Sequence, residues 1–174
     1  MEAAFTDFDA TLRDGRGVRV RAMSGSDDAE ILQAFDHLSA DARYMRFMRV
    51  VREVDEDRLR ETLASFPELG FGIVATVPAA DGFDIVGSAI LVIGNNPSIC
   101  EFAITILPEY GGAGLGRTLL SALIATAKRR GLKEMEGFVL TANQPMLKLA
   151  ARLGFSIARD PDDASVCNCR LSLG

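Results

Sequence analysis

Gly111-Gly112-Ala113-Gly114-Leu115-Gly116 packs four glycines into six residues, between a strand pattern and a helix pattern. A turn of this composition can aim several backbone N–H groups at one point, and the helix that follows adds its positive dipole end. Glycine is the residue for such a turn because a side chain would keep an anion away from the main chain. The chemistry implied is the holding of a phosphate or diphosphate by main-chain amides, with Arg117 close behind; a flexible surface turn is the bland alternative. Two familiar phosphate loops do not fit. The dinucleotide fingerprint G-x-G-x-x-G fails on the spacing of Gly112, Gly114 and Gly116. The P-loop pattern is approached by Gly111, Gly116, Arg117 and Thr118, but arginine replaces the lysine that reaches the phosphates. The next strand ends Val139-Leu140-Thr141, with no aspartate for magnesium.

The elements around this turn follow from periodicity. Val18 to Arg21 alternates as a short strand. Ser24 and Ser26 precede a helix with Ile31, Leu32, Phe35 and Leu38 on one face. A second helix is expected from about Ser39, carrying Tyr44, Met45 and Phe47, and a third from about Asp55, carrying Leu59, Leu63 and Phe66. Three strands follow, Phe71 to Val77, Ile85 to Ile93 and Ile99 to Leu107. The short turns at Pro78-Asp81-Gly82 and Gly94-Asn95-Asn96-Pro97 make them antiparallel neighbours.

Past the glycine turn, Leu119, Leu120, Leu123, Ile124 and Ala127 mark the buried stripe of a helix. Lys128-Arg129-Arg130 and Gly131 close it. Glu136 to Thr141 is a strand parallel to the third, reached by that crossover. Asn143 caps a helix with Pro145 in its first turn and Met146, Leu147, Ala150 and Leu153 turned inward. Strands at Phe155 to Ala158 and Val166 to Leu171 finish the chain. The fold class is α/β (α+β): a mixed, mostly antiparallel sheet flanked by helices, with one central parallel pair. Residues 1–16 are polar and aperiodic and read as a flexible N-terminal arm; 17–174 reads as a single domain.

Composition narrows the function classes. The 174 residues are 48% apolar and 25% charged, with net charge −5. That profile suits one soluble domain and speaks against a nucleic-acid partner. Neither a basic-then-apolar start nor a span-length apolar run is seen, so no leader and no membrane partner are expected, and the cytoplasm is the expected location. Cys100, Cys167 and Cys169 form no CxxC pair, and His37 is the sole histidine. No metal site is expected.

The stretch from Glu101 to Gly116 resembles the cofactor motif of the GNAT acetyltransferase superfamily, a strand, then Gln/Arg-x-x-Gly-x-Gly/Ala, then a helix. Asn143-Gln144-Pro145-Met146 with Leu153-Gly154-Phe155 resembles the second motif of that family. The likeness runs from about Val18 to Leu171. Leu38 to Phe47 further resembles bacterial protein-lysine acetyltransferases of the Pat type, whose synthetase-like or cyclic-nucleotide-binding regions do not fit in this chain. The resemblance implies acetyl-CoA in a V-shaped opening between two splayed parallel strands. Backbone groups of Ile104 and Ile106 would pair with the pantetheine arm. The N–H groups of Gly111, Gly112, Ala113, Gly114, Leu115, Gly116 and Arg117 would hold the pyrophosphate, and the Asn143 side chain would lie near the thiol end.

Two positions depart from the family pattern. Gly111 stands where Gln or Arg is usual, and Ala150 stands where many members carry a tyrosine acid.

Acetyl transfer to an amine needs a base, because an alkylammonium with pKa near ~10.4 must lose its proton before attack. Glu101, at the start of the cofactor strand, is the candidate, directly or through water. Pat-type enzymes carry a glutamate at this place; the plainer reading is a solvated strand carboxylate. Arg43, Tyr44 and Arg46 are candidates for the acceptor side, against the simpler reading of a helix with one packed and one solvated face. Cys100 and Glu101 should point to opposite faces. The expected function is acetyl transfer from acetyl-CoA to a primary amine, either a protein lysine or a small molecule, by direct transfer in a ternary complex. The alternative is a non-catalytic acyl-CoA-binding sensor. Sheet edges and apolar helix faces also allow a homodimer.

Overall fold

The computed structural model describes residues 5–36, 38, 40, 46 and 55–174. Eight strands form one sheet, β1 (Phe8–Thr11), β2 (Gly17–Ala22), β3 (Gly70–Ala79), β4 (Gly82–Ile93), β5 (Ile99–Ile106), β6 (Glu134–Leu140), β7 (Ser156–Arg159) and β8 (Val166–Ser172). Their order is β1-β2-β3-β4-β5-β6-β8-β7. Every neighbouring pair is antiparallel except β5 and β6, the pair joined through the helix after the glycine turn. That helix is what makes the parallel crossover reachable.

Four α-helices are described, α1 (Asp28–Asp36), α2 (Glu56–Ala64), α3 (Leu115–Arg129) and α4 (Gln144–Arg152). α3 lies against β3, β4 and β5. A Cβ at Gly87 on β4 would come within 3.0 Å of Leu115 and 3.1 Å of Leu119, so glycine there sets how closely α3 beds down. Leu115, Leu119, Leu120, Leu123 and Ala127, at helical spacing, are all fully buried against the sheet. α1 also lies against β4, with Phe35 and Leu38 buried.

Sequence and structure part company at the N-terminus. Residues 8–11 belong to no loose arm: they pair with β2 as the edge strand of the sheet, Phe8 opposite Val20 and Thr11 opposite Gly17. A strand of four residues is too short for alternation to stand out, and a neighbouring strand supplies what its own sequence does not signal. The helix expected from Ser39 with Tyr44, Met45 and Phe47 lies outside the described residues, as do Arg43 and His37. No described helix is long and apolar enough to cross a membrane.

Candidate active site

The parallel pair holds together for three rungs only. Ile99 faces Glu134, Cys100 faces Met135 and Glu101 faces Glu136, after which β5 continues to Ile106 and β6 to Leu140 without pairing. Phe102 and Gly137 follow the last rung. The Phe102 ring lies over Gly137, where a Cβ would sit 2.3 Å from the ring, and it meets Phe155 edge-on at 5.2 Å between centroids. The ring fills the next rung position from the α3 side, and glycine on β6 is what admits it. The sequence carries one signal for Gly137, an isolated glycine inside a strand pattern.

Opening the sheet leaves main-chain groups on β5 facing a gap. The Ser98 carbonyl accepts from Lys133 N–H and Glu134 N–H, across to β6, while Leu107 N–H donates to the Val86 carbonyl, across to β4. Strand alternation between those two fixed ends turns the backbone groups of Phe102, Ile104 and Ile106 toward the opened edge. That is the placement Ile104 and Ile106 need to hydrogen-bond an extended arm lying in the gap. Their side chains share the face of Phe102, toward α3.

The glycine turn sits at the mouth of this opening. Gly112 and Gly114 take left-handed φ values of +73° and +91°, with Gly114 as the cap residue of α3. Thr118 N–H makes the first bond of the helix, to the Gly114 carbonyl at 3.1 Å, so the amides of Leu115, Gly116 and Arg117 precede the helical ladder. One expected donor is withdrawn: the Gly111 N–H is bonded to the Pro108 carbonyl at 3.1 Å. The amides that remain for an anion run from Gly112 to Arg117, including Ala113, whose side chain is buried. Gly116 has a packing role as well, since a Cβ there would press on Leu149 of α4 at 3.1 Å. Arg117 is exposed on the first turn. Asn143 follows β6 at the same end of the opening, where its side-chain oxygen accepts from the Met146 N–H at 3.4 Å and caps α4.

Glu101 occupies the last paired rung, directly opposite Glu136 and on the face away from α3. Cys100, beside it, points the other way and is buried with its thiol pushed up to about 11 by desolvation, so the two do not form a thiol–base pair. The Glu101 side chain reaches solvent, yet the surrounding protein withdraws enough water to raise its pKa above the ordinary carboxylate range. Glu136 raises it further, and Arg46 pulls it back. Arg46 donates from Nε to Thr105 Oγ1 at 3.0 Å. A raised carboxylate, a second carboxylate and a guanidinium therefore meet where the strands part. Ala150 is fully buried, so α4 presents no group to the opening at that position.

The model of the acetyltransferase (GNAT) family matches residues 33–155. The chain belongs to the GNAT acetyltransferase family. Among GNAT relatives, an acetyltransferase of Pseudomonas aeruginosa is 31% identical over 94% of this chain and 88% of its own length. The acetyltransferase Pat of Mycolicibacterium smegmatis is 27% identical over 88% of this chain, which spans only 46% of that protein. Among solved structures, the GNAT domain of S. lividans PAT superposes with a TM-score of 0.85 at 20% identity, covering 95% of this chain and 96% of that one. A GNAT phosphinothricin acetyltransferase of Sinorhizobium meliloti, solved with acetyl-CoA, gives 0.72 at 17% identity over 90% and 89%. The GNAT fold, with its single parallel pair, is thus the fold expected from the sequence.

Proposed function

We propose that this GNAT protein transfers the acetyl group of acetyl-CoA to a primary amine, with Glu101 as the base. The observation that carries the reading is the coincidence of three features at one end of the sheet: a parallel pair that opens after Glu101, main-chain groups facing the gap, and a left-handed glycine turn with unused amides. Acetyl-CoA fits each in turn. The amides of Gly112 to Arg117 would take its diphosphate, and Ile104 and Ile106 would pair with the pantetheine arm. Asn143 would stand toward the thiol end.

When bound, acetyl-CoA supplies an activated acyl carbon with a thiolate leaving group of pKa near ~8.5. Glu101 accepts the proton of the incoming ammonium, directly or through a water, and so generates the attacking amine. A strand N–H freed where the sheet opens donates to the carbonyl oxygen as charge builds there. The departing thiolate is stable enough to leave without a dedicated acid, in keeping with the buried Ala150. The acceptor is a protein lysine or a small amine. On the outer edge of the sheet, β7 is exposed along its length and Ile157 is 37% exposed, which makes this edge the place for a second copy to pair. Sedimentation would read that directly.

The decisive experiment is a thermal-shift titration with acetyl-CoA followed by CoA-release assays against lysine peptides and small amines. Stabilisation with turnover is the expected result. Stabilisation without turnover across a broad panel would support the sensor instead, and absent stabilisation would remove both.

A further inference from the structure

The glycine turn packs through Ala113 but passes twice through left-handed backbone, at Gly112 and Gly114. Gly112 and Gly114 are conformationally free residues, and an ordered array of amides is worth more to a ligand than a flexible one. The tie comes from the other end of the chain, the turn joining β1 to β2. Arg13 N–H donates to the Ala113 carbonyl at 3.0 Å, and Arg13 Nη2 donates to the Gly112 carbonyl at 3.0 Å. Arg13 Nε lies 3.5 Å from where a Cβ on Gly114 would project. One residue thus lies along three consecutive residues of the loop.

The β1–β2 turn is itself anchored. Leu12 is buried in the core, Leu12 N–H reaches the Arg16 carbonyl at 2.8 Å, and Gly15 N–H reaches the Leu12 carbonyl at 2.9 Å. Arg16 stacks its guanidinium over the Tyr110 ring at 4.1 Å, just ahead of the loop, and Asp14 holds that guanidinium at 2.6–2.8 Å. The grip on the carbonyls also has an electronic consequence. A peptide whose oxygen accepts a hydrogen bond presents a more polarised N–H. The peptides gripped by Arg13 are those carrying the Ala113 and Gly114 amides.

We infer that Arg13 is a positioning residue of the diphosphate site, clamping the glycine turn from outside and adding positive charge beside it; this rests on the acyl-CoA reading above. The N-terminal hairpin is then part of the cofactor site. Arg13 acts through the loop, so its effect is confined to ligands that carry the diphosphate.

Calorimetry with coenzyme A and with pantetheine, which lacks the diphosphate, tests this on the full chain. Arg13→Ala should weaken coenzyme A about tenfold, the scale of one charge-assisted bond, and leave pantetheine affinity unchanged. Arg13→Lys, which keeps the cation, should recover part of the loss. Equal weakening of both ligands, or coenzyme A affinity unchanged in both variants, would overturn the role of Arg13 while leaving the cradle standing. A native protein that binds coenzyme A no more tightly than pantetheine would instead remove the diphosphate cradle, and Arg13's role with it.

Discussion

Glu101 and Glu136 face each other across the last rung of the parallel pair, and that neighbour adds to what burial does to the pH at which a base can work. Partial burial and then Glu136 raise the Glu101 pKa, and Arg46 opposes them. A base acts deprotonated, so turnover should fall as pH drops through this raised value. Glu136→Gln removes one cause, lowers the Glu101 pKa and should move the acidic limb of the kcat profile to lower pH. Glu101→Gln should slow kcat about a hundredfold with coenzyme A affinity intact. Equal rates at neutral pH would take Glu101 out of the mechanism. At the loop, Gly114→Asn and Gly114→Asp compare shape with charge. Both side chains tolerate a left-handed residue better than most, so both pay similar strain at φ +91°. Only the aspartate repels a diphosphate. Acetyl-CoA should stabilise the Asn variant and fail to stabilise the Asp variant; equal thermal shifts would place the anion elsewhere.

At the scale of the element, a ring and a missing side chain meet where the sheet opens. Gly137→Ala puts a methyl group 2.3 Å from the Phe102 ring, which is buried and packed edge-on against Phe155. The expected loss is about 2 kcal/mol of stability, the scale of overpacking in a filled core. Urea unfolding would measure it. Because the ring marks the first unpaired rung, pantetheine affinity should fall in the same variant, whereas a purely distant destabilisation would leave it alone. α3 and α4 touch where Leu149 meets Gly116, so the N-terminus of α3 is braced against the body of α4.

At the scale of the whole molecule, the N-terminal half of the sheet is fastened to its helices through Asp27. This carboxylate is 2% exposed and accepts from both Arg21 Nη atoms, at 2.9 and 2.8 Å, and from Ser24 N–H at 2.7 Å. Burial pulls its pKa up, but the Arg21 bonds and the Ser24 N–H outweigh that and leave it below the usual value. A lowered carboxylate contributes stability above its unfolded value, about 3.9, and loses it as pH falls through the folded one. Asp27→Ala, which strands Arg21 against a buried face, should cost about 3 kcal/mol at neutral pH. The native protein should lose more melting temperature than the variant between about pH 6 and about pH 3. A parallel decline in both would show that other carboxylates govern acid unfolding.

What sequence alone determined was local. The buried stripe of α3, the cap at Asn143 and the antiparallel turns before β4 and β5 are written in spacing and turn chemistry, which need only near neighbours. The glycine turn is legible for the same reason. Tertiary structure decided what depends on distant residues. The Gly111 amide is lost to Pro108 because of how one turn closes, and Phe102 meets Gly137, just past the last paired rung, across a gap of 35 residues in sequence. Arg13 reaches Gly112 across 99 residues from a segment with no periodic signal. Periodicity reports which face of an element is buried; it carries no information about which distant backbone that face will meet.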